Sequence, residues 1–277
     1  MLILLLLLML ALLLRADVMM TAASAACRLF VTAVLPGLLP YMTLSLMAVS
    51  RVKHPSPRLV MLLGWGGGSP TGARLLPMCA GLTRREQVRL AVSCATMSPM
   101  FLLGTIGGWL DSSAAGVVCL ICVIVGGWLT GLLAGTRAHT SSSEFRIPNS
   151  EFPPPLPFGA AVEASARTML LVCGTMVMLR IFATLAAEML PSGLVLPVTT
   201  LLEVTTGTAE IARLPLPLMW RTALIAGATG FGGMAIILQN RAVYPQGFLP
   251  LGAQVGWQAL HGGMSFLLAL GLMWMVG

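Results

Sequence analysis

Between Gly64 and Gly104 an otherwise apolar chain is broken twice: GWGGGSPTGARLLPMCAGLTRREQVRLAVSCATMSPMFLLG. The first break falls at Gly66, Gly67, Gly68, Ser69 and Pro70, the second at Ser98 and Pro99, and a basic stretch (Arg84, Arg85, Arg89) lies between them. In hydrocarbon no water satisfies the backbone, so irregular segments survive there only against protein or a water-filled cavity. Paired breaks of this kind mark the substrate region of a secondary transporter. Composition shows that the rule applies. Only 9% of the 277 residues are charged and mean hydropathy is +0.92, whereas soluble domains carry about a quarter charged residues. The chain reads as an all-α polytopic membrane protein whose first partner is the lipid bilayer.

The net charge of +7 comes from 16 basic residues, with Lys53 the only lysine. Most sit in short loops between apolar runs, which fits retention of those loops on the cytoplasmic side and not nucleic-acid binding. Cys119 and Cys122 have C-x-x-C spacing inside an apolar run and read as packing residues, and His54, His139 and His261 are isolated. No metal, cofactor or enzymatic nucleophile–base signature emerges.

Leu2 to Leu14 is almost pure leucine, shorter than the about 20 residues a span needs. A retained helix is expected, with cleavage near Ala22 to Ala26 as the alternative. Ala16 to Val34 reads as an interfacial helix turning into a span at about Leu35 to Ser50. Leu59 to Leu63 and Leu75 to Ala80 flank the Gly-Ser-Pro break, each too short to cross, and together predict a re-entrant hairpin. Thr83 and Glu86 have capping-box spacing. A span follows at Ala114 to Ala134, where Gly127, Gly131 and Gly135 share one face suited to close internal packing. Residues 135–158 are a polar linker. Beyond it come an interfacial Gly159 to Thr168, a span Met169 to Leu190, a second break in LLEVTTGTAEIAR, a span Thr222 to Asn240 interrupted at Gly230, Gly232 and Gly233, and a last span from about Trp257 to Val276.

The halves, 1–134 and 159–277, match in order. ASAACRLF resembles ASARTMLL, GGSPTGARLL parallels EVTTGTAEIA, and SPMFLLGTI parallels GGMAIILQN. Gly72 to Gly207 is 135 positions and Pro99 to Gly233 is 134, a near-constant offset. Counting crossings, with 114–134 as an extra span, inverts the second repeat. Basic residues 51, 53, 58, 84, 85, 89, 137, 146, 167 and 241 then lie inside, and 15, 28, 213 and 221 outside. Inverted repeats with two re-entrant hairpins and broken transmembrane helices are the expected architecture.

VLPGLLPYMTLSLM, GGSPTGARLL, LTRREQVRLAVSCATMSPMFLLGTIG and LLEVTTGTAEI resemble the sporulation integral membrane proteins of the YlbJ type. That family belongs to the nucleoside-recognition, or Gate, domain group and is similar to concentrative nucleoside transporters. The resemblance implies inverted repeats, a place in the bacterial cell membrane (the outer forespore membrane) and passage of dipicolinic acid. The chain departs from the usual family pattern at Gly37 and Tyr41 and at Ser98, and it is short between its first span and first hairpin.

Half-helix N-termini carry unpaired N–H groups and partial positive charge, so they hold anions without a metal. Gly67, Gly68, Ser69, Thr71 and Gly72 are the candidates at the first tip, with Ser98 beside them, and Thr205, Thr206 and Gly207 at the second, facing Gly232 and Gly233. Arg74 suits bidentate pairing with a substrate carboxylate. Glu203 reads either as a contact for substrate or a coupling cation, or as a structural partner of Arg74 or Arg180; both stay open. Glu210 with Arg213 reads as an interfacial pair. A small anionic metabolite, dipicolinate above all, is the expected substrate. A nucleoside, for which Gln239, Asn240, Gln254 and Gln258 are the available amides, and a non-transporting scaffold of the sporulation envelope are the alternatives.

Overall fold

The computed structural model describes residues 2–79, 81–138 and 155–276. Every regular element among them is helical: α1 (Leu2–Leu14), α2 (Ala16–Leu29), α3 (Leu35–Ser50), α4 (Pro57–Gly67), α5 (Thr71–Leu75), α6 (Arg84–Ser93), α7 (Gly107–Trp109), α8 (Ser113–Arg137), α9 (Phe158–Ala187), α10 (Ser192–Leu202), α11 (Val204–Ile211), α12 (Leu218–Phe231), α13 (Gly233–Val243) and α14 (Leu251–Val276). Four segments are long and apolar enough to cross a membrane: Ala16–Ser50, Ser113–Arg137, Phe158–Ala187 and Leu218–Val243. They fit an integral membrane protein. The 26-residue α14 also carries no Asp, Glu, Lys or Arg. Most of the polar linker, including Glu144, Arg146 and Glu151, lies outside the described residues.

Two expected boundaries are corrected. Residues 16–50 form one continuous helix past Pro36 and Pro40, not an interfacial helix followed by a span. A π turn at Phe30–Val34 makes this feasible, with the Leu35 N–H bonding back to Phe30. Proline lacks an N–H and presses on the preceding turn, and a locally widened helix absorbs both defects. Likewise Phe158–Ala187 is one 30-residue helix, so 159–168 is not separate. Other expectations match. Thr83 and Glu86 make the capping box at the start of α6. The glycine face of α8 packs internally on α6: a Cβ on Gly131 would lie 2.8 Å from the Arg89 carbonyl, and one on Gly135 3.2 Å from that of Arg85.

The two larger of four apolar clusters among the described residues join the main helices. One joins Phe101, Leu102 and Ile106 to Cys119 and Val123 of α8 and to Ile225 of α12. The other joins Met42 and Val49 of α3 to Leu75 of α5 and to Met169, Val172 and Met176 of α9. Polar side-chain contacts tie the connections between these helices. Leu156 N–H donates to Ser50 Oγ (3.0 Å), the Cys79 thiol to the Pro55 carbonyl (3.5 Å) and Arg241 to the Leu249 carbonyl (2.8 Å). Arg84 bonds the Phe248 carbonyl and stacks on its ring, and Arg137 lies over Trp257. Arg15 pairs with Glu188, and Arg221 donates to the Ala212 carbonyl (2.8 Å).

Candidate functional site

α4 ends at Gly68, whose φ of +67° and ψ of −164° belong to a region essentially reserved for glycine. The break is narrower than expected, since Gly66 and Gly67 are still helical. A Cβ on Gly68 would lie 2.5 Å from the Ser98 nitrogen, so the first break sits directly on the second. That second break is wider than Ser98-Pro99: α6 stops at Ser93 and helix resumes only at 99. Carbonyls stranded by such a stop must find donors, and each of four has one. Tyr244 Oη donates to Ala91 (3.3 Å), Trp65 Nε1 to Ser93 (2.9 Å), Gln258 Nε2 to Ala95 (3.3 Å), and the Ser69 N–H to Thr96 (2.7 Å). Two of the four come from the C-terminal half.

Around Ser69 the polar groups are not all satisfied. Ser69 Oγ donates to Asn240 Oδ1 of α13 at 3.0 Å. Thr71 Oγ1, Thr96 Oγ1 and Asn240 Nδ2 are buried with no hydrogen-bond partner among the described residues. Ser98 Oγ accepts the Phe101 N–H at 3.3 Å and so caps the resuming helix. Gly72 packs on Cys94, where a Cβ would lie 2.4 Å from the cysteine Cβ. Arg74 turns away from the tip and donates through Nε to Thr168 Oγ1 of α9 at 2.9 Å.

The α10–α11 pair is interrupted at Glu203 alone. Its buried carboxyl group accepts the N–H groups of Thr205 (2.9 Å) and Thr206 (2.7 Å), capping its own helix. This corrects the ion-pair reading, because Glu203 meets neither Arg74 nor Arg180; Arg180 pairs with Glu210 at 3.4 Å, which also replaces the expected Glu210–Arg213 pair. It also means that the N-terminus of α11, assigned from sequence to a substrate anion, is filled by a side chain of this chain. The reason is local. A carboxylate at the N-cap position of a buried short helix meets the free N–H groups and the positive dipole end before any distant cation. Gly232 (φ +77°) and Gly233 (φ +68°) break the next helix beside it. A Cβ on Gly233 would lie 3.2 Å from the Thr200 and Leu201 carbonyls, and one on Gly207 2.5 Å from Thr200 Cα.

The sequence-derived candidates thus collect in two groups, Gly67 to Gly72 with Ser98, and Glu203 to Gly207 with Gly232 and Gly233. α13 bridges them: Gly233 touches one group and Asn240 the other, roughly 10 Å apart along the helix. Arg74 stands outside both. A cleft of about 700 Å³ between α2, α9 and α11 was missed, and it is lined by Arg28, Arg180, Arg213 and Glu210 together with Ser24 and Thr206. Its signal in sequence was the basic residues inside apolar runs at 28 and 180, which no local pattern links to 213. No family model, curated protein or solved structure matches this chain.

Proposed function

We propose that this chain is a membrane permease for a small anionic metabolite, built from two inverted repeats whose hairpins, α4–α5 and α10–α11, enter from opposite faces. The observation that carries the reading is the contact of each hairpin break with a broken helix, Gly68 on Ser98 and Gly233 on the Thr200–Leu201 carbonyls. Unwound backbone in apolar surroundings gathers at a transport site because it must line a cavity or be buried in protein. The bond from Cys79 to Pro55 supports a hairpin that leaves where it entered. Gly72 and Gly207, matched in the sequence repeats, each lie close to the preceding arm of their own hairpin: a Cβ on Gly64 would lie 3.2 Å from Gly72 Cα, and one on Gly207 2.5 Å from Thr200 Cα. Following the sequence resemblance, dipicolinate is the substrate and the outer forespore membrane the location.

A second reading, a neutral solute such as a nucleoside, is favoured by one feature, the buried and unpartnered Asn240 Nδ2 beside Ser69. Uptake by proteoliposomes separates the two. Labelled dipicolinate should accumulate in vesicles holding the protein, and Asn240→Leu should leave much of that flux. Nucleoside uptake abolished by Asn240→Leu would transfer the assignment, and no flux of either compound would leave a scaffold.

A further inference from the structure

We propose that the cleft between α2, α9 and α11 binds a small dianion, carrying two carboxylates or a phosphate monoester, and that it loads the transport path from the Arg15–Glu188 end. Its formal charge decides the class: Arg28, Arg180 and Arg213 give +3, Glu210 gives −1, and the balance is +2. Arg180 and Glu210 occupy each other at 3.4 Å. The guanidinium groups of Arg28 and Arg213 have no hydrogen bond or ion pair among the described residues. Arg28 follows Arg15 by 13 positions, roughly 20 Å along a continuous helix, and Arg180 precedes Glu188 by eight, roughly 12 Å. Arg28 and Arg213 are exposed on the cleft wall, and a guanidinium among apolar helices is stabilised where water or an anion meets it. The volume, about 700 Å³, suits a small-molecule site. Guanidinium groups bind carboxylate and phosphate bidentately, and the Ser24 and Thr206 hydroxyls add neutral donors to the wall. Thr206 also donates its N–H to Glu203, so a ligand here touches the capped turn of the second hairpin. The loading role rests on the permease reading; the binding does not.

The test uses the full chain in nanodiscs of zwitterionic lipid, with succinate and inorganic phosphate as probes and acetate as the monoanion control, followed by calorimetry. Succinate and phosphate should bind at least tenfold more tightly than acetate. Arg28→Gln and Arg213→Gln should each weaken them about tenfold or more, the loss expected for one charge-assisted contact. Glu210→Gln should tighten binding, a gain that misfolding cannot imitate. Dianions that bind no better than acetate, or that ignore all three substitutions, overturn the site. A parallel arm replaces part of the lipid with phosphatidylglycerol; loss of succinate binding there, relieved by Arg213→Gln, would assign the cleft to a lipid headgroup and overturn the proposal. Binding with no flux in proteoliposomes keeps the site and removes the permease. Flux indifferent to Arg28→Gln and Arg213→Gln removes the loading role alone.

Discussion

Replacing Gly68 with alanine tests whether the two unwound segments are packed against each other. A Cβ at Gly68 meets main-chain atoms, 2.5 Å from the Ser98 nitrogen and 2.8 Å from the Met97 carbonyl carbon, and main chain cannot rotate away. The φ/ψ region adds strain of about 1–3 kcal/mol for any L-residue. Overpacking a dense interior typically adds another 1–3 kcal/mol or so. Gly81 supplies the control: its φ is +74°, yet a Cβ there meets nothing within 4 Å. Gly81→Ala therefore carries only the strain of the left-handed region, about 1–2 kcal/mol. Gly68→Ala should exceed it by about 2 kcal/mol, roughly a 30-fold shift in the folded-to-unfolded ratio. Reversible unfolding of both purified variants in mixed micelles measures the gap. Equal losses would mean that the breaks are not in contact, and the reasoning about the site would fail with them.

Glu203→Ala leaves the Thr205 and Thr206 N–H groups without their acceptor and should destabilise the hairpin by about 1–3 kcal/mol; amide exchange at those two residues should accelerate, and unchanged exchange would refute the cap. Gln258→Leu strands the Ala95 carbonyl and should cost a similar about 1–3 kcal/mol in thermal unfolding, whereas stability at the wild-type level would show that the carbonyl has another donor. Gly131→Ala, pressed on the Arg89 carbonyl, should destabilise by about 1–3 kcal/mol, while Gly263→Ala, with nothing within 4 Å of its Cβ, should be neutral or better; the reverse order would contradict the α6–α8 contact. Glu86 is held below the usual carboxylate range by bonds from the Thr83 hydroxyl and N–H. Its capping contribution is complete above the unfolded carboxylate pKa and disappears as pH falls through the lowered folded value. Thr83→Ala should move the Glu86 titration upward in a carboxyl NMR experiment, and an unmoved titration would deny the capping box its role.

The spans, the capping box and the glycine face of α8 were legible because each rests on local periodicity or fixed spacing. Thr83 and Glu86 are three residues apart, and Gly127, Gly131 and Gly135 repeat every four, so chain geometry brings them together before any tertiary contact forms. The broken segments were visible for the same reason, with Ser69-Pro70, Ser98-Pro99 and Gly232-Gly233 all interrupting apolar runs. Breaker residues overstate a break, however: Gly66 and Gly67 remain helical, the π turn ahead of Pro36 lets the helix pass it, and Pro40 lies inside the same continuous helix. The pairing of Glu203 with Arg74 or Arg180 failed because two N–H groups lay two and three residues away, nearer than either arginine. The basic cleft could not be read at all. Positions 28, 180 and 213 meet only through the packing of α2 against α9 and of α11 beside them.

The face to which each hairpin opens decides between a re-entrant fold and full crossings, and single-cysteine labelling measures it. In a cysteine-free background, Arg58→Cys and Arg85→Cys bracket the first hairpin, and Ser192→Cys and Leu216→Cys bracket the second; all four native residues are exposed. A membrane-impermeant maleimide applied to sealed vesicles should label positions 58 and 85 from one face and positions 192 and 216 from the other. Labelling of 58 and 85 from opposite faces would make α4–α5 a full crossing, and the inverted, re-entrant arrangement would be contradicted.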